Sequence, residues 1–370
     1  MTYKTITNKL IDLDYSAIIV ITAISTIGFA MLYSAAGGSF EPWAIRQIVR
    51  YFVGIVFLVS IAMMDIRFWR SLSYVCYLSS LLLLVFVEFK GHIGMGAQRW
   101  IDLYIITIQP SELMKITLVM ALANYFHTIN SHDISRLRTY IIPLFLIAVP
   151  ALLVLRQPNL GTMFILIITG ASIIFVAGLP FWMVLSASVI VMAGLPILWS
   201  QMHSYQKQRV LSFLNPESDP LGASYNIIQS KIAIGSGGFW GKGFLQGSQG
   251  QLNFLPVIQT DFIFAMLCEE FGVLGGLFLI CLYIILIIYG YRVSFESKNL
   301  YGRLMGVGIT TLFFLYVFIN MAMVMGLLPV VGVPLPFMSW GGTSMLSLMI
   351  GFGLLMSTSL CKSVRFGRHY

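Results

Sequence analysis

Ten mostly apolar stretches, near 15–35, 46–64, 71–88, 109–128, 139–155, 160–178, 181–199, 261–290, 303–327 and 342–361, dominate this chain. A helix rises about 1.5 Å per residue and a bilayer's hydrocarbon core is about 30 Å thick, so each stretch can cross it once. Of 370 residues, 58% are hydrophobic and only 10% charged, against roughly 25% charged in soluble domains. The expectation is an all-α, polytopic integral membrane protein of about ten transmembrane helices. It forms a single membrane domain over 1–370, and the even count returns the C-terminus to the side of the N-terminus.

Charge fixes the orientation. Lys4 and Lys9 precede Asp12 and Asp14, and no small-residue cleavage pattern follows the first apolar run, so that run reads as a retained helix and not a signal peptide. With both termini cytoplasmic, the short inner segments hold twelve basic residues. The short outer ones hold five, Arg46, Arg50, Lys90, Arg99 and Arg156, and the excess belongs on the cytoplasmic side. The net charge of +8 is spread over short loops beside anionic headgroups, which argues against a nucleic-acid surface. Cys76, Cys268, Cys281 and Cys361 lie in or at the ends of apolar segments, so no disulfide is expected. Five scattered histidines show no zinc-ligand spacing.

One long polar excursion, about 200–260, falls outside the membrane in this orientation, and loops of that length are usually functional. Its middle, "SYNIIQSKIAI", can form an amphipathic helix on the membrane or along a cleft. The run "GSGGFWGKG" is not a phosphate loop, because Gly243 follows Lys242 where Ser or Thr is needed. Two readings remain for it: turns that need positive φ, or bare amides approaching an anion such as a diphosphate. Gly302 with Gly306, and Gly272 with Gly275 and Gly276, fit close helix packing.

A second outer segment, "GHIGMGAQRWIDLYIITIQPSELMKI", is too interrupted before Pro110 to span and runs along the interface. Pro110 suits a first helical turn, and Glu112 and Lys115 share a face at i and i+3. They form either a structural ion pair or the lining of a polar cavity. The prolines and glycines of "GLLPVVGVPLPFMSWGGTSML" break a helix at the membrane face, where unwound backbone persists only under cover of protein or a wet cavity.

Asp261 stands where the long loop meets the eighth apolar segment. In one continuous helix Glu269 and Glu270 would lie about 12 to 14 Å deeper, turned about 80° and 180° away, so the three acids do not make one cluster. Asp261 can be a helix N-cap. Alternatively it is a base or metal ligand beside Arg99, Arg209, Lys231 and Lys242, a cationic set suited to a lipid-linked diphosphate.

The run "PESDPLGASYNIIQSKIAIGSGGFWGKGFLQGSQGQLNFLP" with "TDFIFAMLCEEFG", "GAQRWIDL", "QPSELMKI", "RQPNLGT" and "GLLPVVGVPLPFMSWGGTSM" resembles the SEDS family (shape, elongation, division and sporulation), and within it the elongation branch that maintains rod shape. The resemblance implies a peptidoglycan glycosyltransferase polymerising lipid II at the outer face of the bacterial cytoplasmic membrane. It implies work with a class B penicillin-binding protein and other elongation-complex proteins. It assigns catalysis to Asp261 and substrate contacts to Arg99, Glu112, Lys115, Gln229, Ser230 and Lys231; Arg209 and Lys242 join them as loop cations. A divalent cation, Mg or Mn, on Asp261 is a further expectation. Many relatives carry an acid where this chain has Val257 and Asn159, which shifts weight to Asp261. Two rival readings are a lipid II flippase and a non-catalytic scaffold for a transpeptidase. No repeat or inverted pair of broken helices, common in transporters, is visible in the sequence.

Overall fold

The computed structural model describes residues 6–362 except 95–96, 103–106, 131–132, 134–135, 184, 186–192, 195, 197–198, 201–206, 208–210, 212, 214, 216–224 and 253. Nine of the ten expected segments are helices here, and the seventh, 181–199, falls largely outside the described residues. After a short helix α1 (Ile6–Ile11) come α2 (Tyr15–Ala35), α3 (Ala44–Met63), α4 (Ile66–Lys90), α5 (Pro110–Thr128), α6 (Ile141–Arg156) and α7 (Leu160–Val176). The long loop holds α8 (Tyr225–Ser236) and a single turn, α9 (Ser248–Gln251); then follow α10 (Ile263–Glu296), α11 (Leu300–Val324) and α12 (Gly342–Leu360). Three starts are set by side chains that accept from first-turn amides lacking a helical partner: Asp65 from Arg67 N–H at 2.9 Å, Asn159 from Thr162 N–H at 3.2 Å, and Asn299 from Gly302 N–H at 2.6 Å.

Seven of these helical runs are long and apolar enough to cross a membrane, the run of α6 being counted from the 3-10 turn that leads into it. Burial sorts them. The most apolar stretch of α11 is 83% buried, against 28% in α4, so α11 is central and α4 peripheral. Helix α5 is buried almost all round despite Glu112 and Lys115, and it packs on α4, α7 and α11. Small residues permit this approach: a Cβ on Gly308 of α11 would stand 2.6 Å from Val119 Cγ1 and 2.7 Å from Ile173 Cδ1.

The segment before Pro110 does not span. It forms β1 (His92–Gly94), β2 (Ala97–Asp102) and β3 (Thr107–Ile108) in antiparallel order β1-β2-β3, so its backbone bonds itself. Pro110 occupies the first turn of α5 as expected.

The eighth apolar segment departs from the expected continuous helix. Gly272, at φ 66° and ψ −164°, breaks α10, and the glycine run of the loop fills the break. Val273 N–H donates to Gly238 O at 3.0 Å, while Lys242 and Gly243 N–H donate to Glu269 and Glu270 O, each at 3.0 Å. A Cβ would stand 2.0 Å from Cys268 O at Gly237 and 2.1 Å from Glu270 O at Gly241. The glycines are therefore required by backbone-to-backbone packing, and two amides the anion reading needed are already bonded to carbonyls. From Gly272 to Arg292, the first charge further along α10, the rise is about 30 Å, one hydrocarbon thickness. Glu269 and Glu270 thus sit at the boundary of the span instead of deep within it.

Candidate active site

Asp261 lies in a turn, and the N-cap of α10 is Phe262, so the capping role is not what the structure gives it. The side chain is partly exposed. Its turn is held from two sides. Asn320 of α11, fully buried, donates from Nδ2 to Asp261 O at 3.0 Å and to Val333 O at 2.7 Å. Ser339 Oγ donates to Thr260 O at 2.5 Å and accepts from Leu335 N–H at 2.8 Å, while Trp340 N–H donates to Gln259 O at 2.8 Å. Within the expected unwound segment, Val333 and residues 335–339 are buried and fastened along 259–261, while Met325, Leu327 and Gly332 are exposed. Gly332 takes φ 70°, and a Cβ there would stand 3.6 Å from Asp261 Oδ2.

Glu112 and Lys115 form a buried ion pair at 2.7 Å, with 5% and 2% exposure. Tyr316 OH bonds both partners, Ser347 Oγ donates to Glu112 Oε2 at 3.3 Å, and the Lys115 ammonium stands 4.4 Å from the Tyr316 ring centroid. The group joins α5, α11 and α12. Tyr316 and Asn320 are one turn apart on the same face of α11, so the ion pair sits about 6 Å along the helix from the clamp on Asp261.

Arg99 reaches this region from another side. Its Nε donates to Gln157 O at 2.9 Å and its Nη2 to Pro158 O at 2.6 Å, bracing the turn into α7. There a Cβ on Gly161 would touch Val331 and Val333, which flank Gly332. Ser230 is buried and donates to Ile227 O at 2.9 Å and Val324 O at 2.8 Å, so its hydroxyl ties α8 to the end of α11 instead of facing a substrate. The tie lays exposed Lys231 over Gly326, 2.7 Å from Nζ to where a Cβ would be. Lys231 and Asp261 border one segment at positions six residues apart, within about 20 Å of chain. Gln229 is partly exposed on the same helix.

Lys242 belongs elsewhere. It bonds Glu269 Oε1 at 2.7 Å and Ser248 Oγ at 2.8 Å beside the α10 break. Glu270 accepts from Ser34 Oγ of α2. Both acids make structural polar contacts. Arg209 lies outside the described residues. Asn320 was missed because a lone polar residue in an apolar stretch carries no motif, its signal being only that it is costly to bury without a purpose; Gly326 and Ser339 lie in the run "GLLPVVGVPLPFMSWGGTSM", but nothing local singles them out within it. Arg50 was read as a loop cation, yet its guanidinium stacks 5.1 Å from the Trp340 ring centroid.

The family described as cell cycle protein, FtsW/RodA/SpoVE, matches residues 14–363. Peptidoglycan glycosyltransferase MrdB of Escherichia coli (strain K12) is 44% identical over 357 residues, covering 96% of this chain and 95% of its own. Stage V sporulation protein E of Bacillus subtilis is 34% identical, covering 95% and 98%. Among solved structures, a chain from work on coordination of polymerization and crosslinking by a peptidoglycan synthase complex superposes with TM-score 0.82 at 29% identity, covering 95% and 98%. The rod shape determining protein RodA of Thermus thermophilus superposes with TM-score 0.72 at 26% identity, covering 95% and 97%. With a family match over residues 14–363, 44% identity to a relative over 96% of the chain and a shared fold over 95% of it, the chain belongs to the FtsW/RodA/SpoVE, or SEDS, family.

Proposed function

We propose that this chain is a peptidoglycan glycosyltransferase of cell elongation that polymerises lipid II at the outer face of the bacterial cytoplasmic membrane, with Asp261 as its catalytic group. The observation that carries this reading is the clamp: buried Asn320 and Ser339 fix the backbone on which a partly exposed carboxylate is presented. Asp261 takes the proton from the acceptor sugar hydroxyl while that oxygen bonds to the anomeric carbon. The bond to the lipid diphosphate breaks with its electron pair on the departing phosphate, and configuration inverts. One base suffices because the leaving group is a stable anion, whereas glycosidases typically use a second carboxyl group to protonate a poor one. Exposed Lys231 supplies positive charge toward the diphosphate.

Among the described residues no three His, Cys, Asp or Glu side chains converge on a metal. Were Asp261 a metal ligand instead of the base, it would be the residue that holds Mg or Mn, and the ion would supply neutralisation of the charge developing on the diphosphate. A class B penicillin-binding protein that crosslinks the new strands is the partner we assign, in line with the synthase complex among the structural neighbours.

The test is polymerisation of labelled lipid II by the purified protein with its cognate transpeptidase subunit. Asp261→Asn is expected to lower the rate about 100- to 10,000-fold with unchanged thermal stability. Full glycan synthesis by the variant ends the catalytic assignment. Movement of lipid II between vesicle leaflets without polymerisation by the wild type favours the flippase, and normal strand growth without Asp261 favours the scaffold.

A further inference from the structure

We propose that Phe239 and Trp240, at the tip of the glycine run, anchor the long loop in the lipid boundary of the bilayer. Both rings are exposed, Trp240 to 78%, although the backbone beneath them is fixed. Val273 N–H and Leu274 N–H of α10 donate to Gly238 O and Phe239 O at 3.0 and 3.4 Å, and Gly241 has no room for a side chain. The tip is thus held at one height on α10, and that height can be read. Arg292 is the first charge down the helix from Gly272; the interval rises about 30 Å, so the break and the tip fall at the outer hydrocarbon boundary.

The neighbours agree. Val273, Leu274, Leu277 and Phe278 share one face of α10 just below the tip and are all exposed apolar side chains. With Phe239 and Trp240 they make one continuous apolar surface, running up from the lipid-facing flank of the helix. Trp is enriched at the depth where an apolar ring meets headgroups. The charge nearest the tip, Lys242, is paired with buried Glu269 at 2.7 Å, which lowers the cost of holding this loop against lipid. The occupant of this surface is therefore the acyl-headgroup boundary itself.

The full-length protein in vesicles of phosphatidylethanolamine and phosphatidylglycerol tests this by fluorescence. Subtracting the emission of Trp240→Phe from that of the wild type isolates Trp240, and Trp240→Tyr provides an independent subtraction should Phe perturb the fold. Lipids brominated near the headgroup are expected to quench the Trp240 component more than lipids brominated at the chain ends, while aqueous iodide leaves it largely intact. Iodide quenching with no effect of brominated lipid would place the tip in water and overturn the proposal. Protection from both quenchers would show a protein surface or a second copy on the tip, and would overturn it equally.

Discussion

Replacing Lys115 with Met tests what the buried ion pair does. Glu112 is 5% exposed and holds one cation, 2.7 Å away; without it the carboxylate keeps only the Tyr316 and Ser347 hydroxyls. Breaking a buried pair from one side costs about 3–5 kcal/mol, because the partner charge is stranded, whereas removing both charges at once is often near neutral. Lys115→Met is therefore expected to destabilise by about 3–5 kcal/mol, and Glu112→Gln in that background to restore most of the loss. Denaturation of the four proteins in one detergent gives the coupling, and lipid II polymerisation on the same samples gives the consequence. Since Tyr316 and Asn320 are one turn apart on α11, bracing the Asp261 clamp predicts that activity returns with stability in the double variant. Additive losses would refute the stranded-charge argument, and a stable but inactive double variant would refute bracing in favour of a cavity that contacts substrate.

Three further substitutions probe the backbone. Gly272→Ala puts a Cβ 2.4 Å from Gly241 N at a positive φ and is expected to cost about 1–3 kcal/mol, seen as faster proteolysis within 237–251. Gly326→Ala would push Lys231 away from its seat, since the new Cβ falls 2.2 Å from Cε; polymerisation should fall as it does in Lys231→Met, and unchanged activity in both would remove Lys231 from the site. Val257 is β-branched at φ 56°, so Val257→Gly is expected to raise the melting temperature through relief of about 1 kcal/mol of strain; a lower melting temperature would show that its side chain packing outweighs the strain.

The helices were legible because lipid imposes one rule along a whole segment, and nine segments obey it. The α10 break was not legible as a break. Gly272 beside Gly275 and Gly276 reads as packing, and only the position of Gly238 and Phe239 carbonyls opposite Val273 and Leu274 shows that another chain segment replaces the missing helical bonds. The same limit governs the site. Acids and cations in motifs identified Asp261, Glu112, Lys115, Arg99 and Lys231 as candidates, but not that Ser230 is used up on Val324 O or Lys242 on Glu269. Those outcomes depend on contacts between residues 27 to 94 positions apart, which no local pattern records.

The two positions where the family resemblance implies an acid and this chain has none, Val257 and Asn159, bear on how many carboxylates the reaction needs. Asn159 caps α7 with its side-chain carbonyl oxygen, 3.2 Å from Thr162 N–H, and an N-cap asks for an acceptor, which Asn and Asp supply about equally well. The cap also sits where Arg99 holds the carbonyls of Gln157 and Pro158, so the turn keeps its shape without a negative charge. Val257 has no polar side-chain atom at all, and what it gives the turn is its backbone carbonyl, which accepts from Thr260 N–H at 3.1 Å. A side-chain proton acceptor is absent at 257, and an amide at 159 does not take up a proton near neutral pH. For a peptidoglycan glycosyltransferase, the name its relatives carry, neither position is then a required base in this chain. Glu112 is already committed to Lys115, Tyr316 and Ser347. The chemistry then rests on Asp261, and activity of this natural Val257 and Asn159 chain, lost on Asp261→Asn, is the result that a two-carboxylate mechanism through either position does not predict.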